Sequence, residues 1–150
     1  KKVLNKHARA NVCYGETAQA ANFEDKKGTV IAFSQVTLLN SVLQHILNLV
    51  NRPNMQAEGN FYTDGGDKKT GIGFHGDAER KEVVAIRTGN QTMPLHYQWY
   101  YRNQRVGTRF TIDIAPGDLY VMSHKAVGFD WKRSSIYTLR HATGAAKYTK

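Results

Sequence analysis

Apolar and polar residues alternate along most of the second half of the chain, while one stretch keeps a three- and four-residue spacing instead. That stretch, Thr37 to Val50 (TLLNSVLQHILNLV), puts Leu38, Leu39, Val42, Leu43, Ile46, Leu47 and Val50 on one face. The pattern predicts an amphipathic helix. The Asn51-Arg52-Pro53-Asn54 run ends it, because proline cannot continue the ladder. Runs rich in β-branched and aromatic residues predict strands at 29–33, 82–87, 95–101, 108–114, 119–123 and 136–140. Turn residues separate the later ones at Thr88-Gly89-Asn90, Asn103-Gln104, Pro116-Gly117-Asp118 and near Gly128. Residues 1–15 read as a basic strand or arm carrying Lys6, His7 and Arg9, and residues 16–28 as a polar loop. One helix followed by many short strands predicts a mainly β (α+β) fold, a sandwich with the helix packed outside it. All of 1–150 is read as a single domain.

Composition narrows the class. The chain is 41% apolar and 11% aromatic, enough to build a core and unlike a disordered segment. No apolar run approaches the roughly 20 residues that span a bilayer, and no leader sequence is visible, so no membrane association is expected. The single Cys13 has no internal disulfide partner, which suits a reducing intracellular compartment. With 21 Lys and Arg against 12 Asp and Glu, the net charge of +9 favours a polyanionic partner, nucleic acid first. Nothing in the sequence calls for oligomerisation, and a monomer is expected.

The stretch from Asn60 to Arg80 carries the candidate chemistry. A short aromatic run, Asn60-Phe61-Tyr62, breaks into a loop holding Asp64, Gly65, Gly66 and Asp67. The chain resumes at Gly71-Ile72-Gly73-Phe74 and delivers His75, Gly76 and Asp77. Residues i and i+2 of an extended strand share a face, so the imidazole and the carboxylate aim at one point. Such a pair makes two of the three ligands in the facial triad of non-haem Fe(II) oxygenases.

Taken in order, these residues resemble the AlkB family of Fe(II)- and 2-oxoglutarate-dependent dioxygenases, over nearly the whole chain. The Arg9-Ala10-Asn11-Val12-Cys13-Tyr14-Gly15 segment is similar to the family's nucleotide-recognition region, and Phe33-Ser34 to an aromatic wall of its base pocket. Asn60-x-Tyr62 resembles its oxoglutarate-binding pair, His75-x-Asp77 its metal motif, and Thr138-Leu139-Arg140 its terminal arginine strand. The resemblance implies a double-stranded β-helix (jelly-roll) that holds Fe(II) through His75 and Asp77. It also implies 2-oxoglutarate bound by Asn60, Tyr62, Thr138 and Arg140, with O2 as oxidant. Arg9, Tyr14 and Phe33 would contact a single-stranded or flipped base. The implied reaction is oxidative demethylation of N-methylated bases, a DNA-repair type of dealkylation. Where the family often has a second acid after the metal-binding Asp, this chain has Ala78.

The third metal ligand stays open among His124, His141 and Asp130. His124 is preferred on overall spacing. His141 follows Arg140, and if Arg140 points inward, strict alternation turns His141 outward unless the strand bulges. Two other functions fit the same residues. One is an oxygenase of this fold that hydroxylates a protein side chain or a small metabolite. The other is a non-enzymatic basic β-sandwich that binds nucleic acid.

Overall fold

The computed structural model describes residues 9–53, 55–62 and 69–150. The loop expected at 64–67, and Lys6 and His7 of the arm, lie outside the described residues. The chain divides into two units, Lys1–Phe61 and Tyr62–Lys150.

In the first unit, β1 (Ala10–Gly15) pairs in parallel with β2 (Val30–Ala32) and antiparallel with β3 (Ala57–Phe61), giving the order β2-β1-β3. A short 3-10 turn at Phe33–Gln35 leads from β2 into α1 (Thr37–Val50), the helix its spacing predicts. Of the predicted apolar face, Leu38 is left out at 78% exposure, while the other six positions are half-buried. Asn51, not Pro53, closes the helix. It adopts the left-handed conformation (φ 53°), and its N–H donates to the Leu47 and Asn48 carbonyls.

The second unit is built on antiparallel pairing. Its strands are β4 (Gly71–His75), β5 (Val83–Ile86), β6 (Met93–Tyr101), β7 (Gln104–Ile114), β8 (Leu119–Met122) and β9 (Thr138–Gly144). They form a four-stranded sheet in the order β4-β9-β6-β7 and a two-stranded sheet, β5-β8. A two-residue turn joins β6 to β7 with Arg102 (φ 48°) and Asn103 (φ 62°) both left-handed. That geometry matches the right-handed twist of the strands it connects. One-turn helices α2 (His124–Val127) and α3 (Ala146–Thr149) flank β9. Neither is long enough for a helical period to show in sequence.

Side chains from both sheets make one core. Leu95 and Tyr97 of β6, Ile114 of β7 and Leu139 of β9 meet Met122 of β8 and Val127 of α2, with Val83 and Tyr120 packed against them. Tyr97 stacks on Phe110 across β6 and β7, ring centroids 5.0 Å apart. The observed β9 starts two residues later than expected and runs on to Gly144. Pairing with β4 on one side and β6 on the other overrides the weak strand preference of its Ala and Gly. The protein is mainly β with several antiparallel sheets. Among the described residues, no helix is long and apolar enough to cross a membrane.

Candidate metal centre

β4 ends at His75, and His141 of β9 lies directly opposite it in the register. Between Ile72 and His75 the ladder shifts: β4 advances three residues while β9 retreats two, from Thr143 to His141. The extra residue is a bulge, a device that re-aims a side chain beside a site. Opposed residues in an antiparallel pair share a face. Both imidazoles therefore stand on one side of the sheet, ring centroids 4.4 Å apart.

Asp77 follows where the chain leaves the strand. Its backbone N–H donates to the Val127 carbonyl at 3.0 Å. Its Oδ1 then lies 3.6 Å from His75 Nε2. Gly76 between them is required by space: a Cβ there would sit 2.2 Å from the Gly128 carbonyl oxygen and 2.7 Å from Trp131 Cβ. Gly128 is left-handed (φ 74°), and a Cβ there would meet Gly76 Cα at 2.8 Å. The two glycines let the His75–Asp77 turn rest against the end of α2.

One candidate ligand atom from each of His75, Asp77 and His141 lies within 4.8 Å of the other two. The hydrogen bonds select which imidazole nitrogens face inward. His75 Nδ1 lies 2.8 Å from the Gly73 carbonyl oxygen and 3.1 Å from that of His141, and His141 Nδ1 lies 3.3 Å from that of Ala126. Carbonyls only accept, so each Nδ1 carries the proton and donates, leaving each Nε2 lone pair free. This is the outer-shell arrangement that orients metal-binding histidines. Burial, then the neighbouring His75, lowers the His141 pKa to about 4. Its ring is thus neutral at pH 7, the form a metal takes. Arg80 Nη1 approaches Asp77 Oδ2 at 3.9 Å. Two imidazole nitrogens and one carboxylate fit the donor set of a ferrous facial triad.

The other predicted residues fall elsewhere. His124, the preferred third ligand, does not join the group. It is exposed on α2 with its ring against Phe129, centroids 4.6 Å apart, and His141 stands in its place. Asp130 is engaged by Lys125 Nζ at 2.6 Å. Arg140 corrects a second expectation. β9 pairs with β6 without interruption from Thr138 to Thr143, so Arg140 and His141 face opposite sides of the sheet. Arg140 lies over the Tyr100 ring at 4.1 Å and donates to Asn103 Oδ1 and the Trp131 carbonyl. Thr138 shares that side and is fully buried. Neither faces the His–Asp–His group, so their predicted hold on 2-oxoglutarate is not met.

Tyr62 is half-buried and close enough to help raise the Tyr120 pKa, after the larger effect of burial. Asn60 lies in the first unit, exposed on β3. It accepts from Asn11 Nδ2 at 3.0 Å and donates to Glu58 Oε1 at 2.9 Å. Arg9, Tyr14 and Phe33 are half-buried in the first unit. Tyr14 crosses Gly59, where a Cβ would meet its hydroxyl at 3.1 Å. Sequence reasoning missed the carbonyls of Gly73 and Ala126, whose role comes from backbone placement alone. It also missed the phase of β9, for which apolar Leu139 was the available signal: a core residue two positions before His141 turns His141 inward.

Fold and centre together define a mainly β protein with a His–Asp–His group of the kind that holds a divalent metal. No family model matches the chain, and no solved structure matches it. An uncharacterized protein of Acanthamoeba polyphaga mimivirus is 46% identical to it over 149 residues, 99% of this chain and 58% of the viral protein. The chain thus spans less than two thirds of that relative's length.

Proposed function

We propose that the chain is an AlkB-like Fe(II)-dependent dioxygenase acting on N-methylated bases in nucleic acid. The observation that carries this reading is the convergence of His75, Asp77 and His141 with both Nδ1 atoms held by backbone carbonyls. The strand path supports it. The chain passes from β4 in the larger sheet to β5 in the smaller, returns for β6 and β7, crosses to β8, and comes back in β9. Alternation between two facing sheets is the path of a jelly-roll.

His75 and His141 would hold the ion through Nε2 and Asp77 through its carboxylate, while Tyr97 and Leu139, on the same face of the sheet, limit access of water. Iron bound with open positions supplies the redox chemistry that oxidises a substrate C–H bond. The reading keeps 2-oxoglutarate and O2 as co-substrates on the family resemblance alone. Thr138 and Arg140 do not fit that role, and no step is assigned to them.

Anaerobic Fe(II) titration, followed by formaldehyde measurement on a methylated single-stranded oligonucleotide with 2-oxoglutarate, tests the proposal. The protein is expected to bind one iron and release formaldehyde. His75→Ala and His141→Ala should lose both, and His124→Ala neither. Purified protein that takes up neither iron nor manganese would sink the enzyme reading in favour of a nucleic-acid-binding sandwich. Iron binding with 2-oxoglutarate turnover on other substrates, and none on the oligonucleotide, would move the assignment to a protein or small-molecule hydroxylase.

A further inference from the structure

The side of the four-stranded sheet opposite the metal group carries cations laid over aromatic rings. Arg105 and Arg109 of β7 flank Phe74 of β4, 5.3 Å and 4.9 Å from its ring centroid. Arg140 covers Tyr100 at 4.1 Å and reaches Trp131 at 5.3 Å, and Lys132 stands 5.7 Å from the same indole. Arg105 also donates through Nε to the Tyr100 hydroxyl at 3.2 Å and through Nη2 to the Lys150 carbonyl. The contacts chain together into one surface, since Phe74 and Tyr100 are themselves 6.2 Å apart.

Several carboxylates are paired away from this face. Asp25 pairs with Lys27, Asp77 and Glu79 with Arg80, and Asp130 with Lys125. Asp113 shares the Arg109 side of β7, and both act on the charge of His96. The four cations of this face concentrate part of the +9 net charge, with Asp113 the acid nearest to Arg109 along β7. Arg105 and Lys132 are exposed and Arg109 is half-buried, whereas the Arg140 Nε is buried beside Tyr100.

We propose that this face binds single-stranded nucleic acid, Arg105, Arg109 and Lys132 taking phosphates while unpaired bases stack on the half-buried Trp131 indole. Charge complementarity selects a polyanion. The planar groups between the cations select unpaired bases, whose faces a duplex would hide. The surface stands on its own geometry and does not depend on a bound metal.

Anisotropy of a fluorescein-labelled single-stranded oligothymidylate, titrated with the protein at several salt concentrations, is the test. Binding should weaken steeply with salt. Arg105→Gln/Arg109→Gln/Lys132→Gln should bind about tenfold more weakly or worse, with a salt slope smaller by about 2, near 0.7 for each lost phosphate contact on a single strand. Lys26→Gln/Lys27→Gln, in the other unit, should change affinity less than about twofold. Binding should be the same with added Fe(II) and with EDTA, so a failed metal reading and a failed surface are told apart. A folded triple variant (by circular dichroism) with wild-type affinity would overturn the proposal. So would an equal loss in the Lys26/Lys27 control, or tighter binding to polyglutamate than to the oligonucleotide.

Discussion

Leu139, Arg140 and His141 are consecutive on β9, and their side chains do three separate jobs. Leu139 joins the core, Arg140 lies on Tyr100, and His141 meets His75 across the ladder. The resemblance points Arg140 inward as a carboxylate clamp, which would push His141 outward. Reading the phase from Leu139 reverses both, because an apolar residue on a half-covered strand marks the inner side. His75 and Asp77 were legible because their two-residue spacing is local. His141 stayed one of three candidates, because its match to His75 depends on pairing between distant segments. Arg140→Met keeps the aliphatic packing on Tyr100 and discards the charge. It should leave Fe(II) affinity within about twofold of wild type while lowering stability by about 1–2 kcal/mol in urea unfolding, as hydrogen bonds to Asn103 and the Trp131 carbonyl are lost. A loss of iron binding equal to that of His141→Ala would contradict the assigned orientation.

Among the elements, α1 and the strands of the second unit follow from period and turn chemistry, and their bounds shift by only a few residues. The connecting pieces do not follow. α2 is a single turn with Ser123 as its N-cap and Gly128 closing it, yet it supplies the Ala126 carbonyl that orients His141. Its contact with the His75–Asp77 turn passes through Gly76 and Gly128, where no side chain fits. Gly76→Ala should cost about 1–3 kcal/mol by overpacking and weaken iron binding along with stability. Gly28→Ala, with nothing within 4 Å of the added carbon, should do neither. Thermal melts with and without Fe(II) check both. Equal melting temperatures for Gly76→Ala and wild type would show that the turn yields more easily than its contacts imply.

For the molecule as a whole, sequence gave the mainly β class and the sign of the charge, but not where the charge gathers. The bulged β7 brings Arg105 and Arg109 to Phe74 of β4 only once β9 and β6 lie between the two strands. Its core also carries a pH dependence. Burial, and Tyr120 beside it, raise the Tyr97 pKa to about 12, against an ordinary value near 10. The folded state then holds that proton more tightly than the unfolded chain. Its contribution is full below about pH 10 and is lost as pH rises toward 12. Urea unfolding from pH 8 to 11.5 should show stability falling above pH 10, and Tyr97→Phe, which keeps the ring stack on Phe110, should flatten that fall.

The back-to-back placement of Arg140 and His141 also fixes how this protein can fail. A slip of β9 by a single residue against its neighbours would carry a guanidinium to the side of His75 and Asp77 and expel the imidazole in one move. Insertions or deletions in β9 should therefore abolish iron binding outright rather than erode it, while the same changes in the 16–28 loop pass unnoticed at the centre.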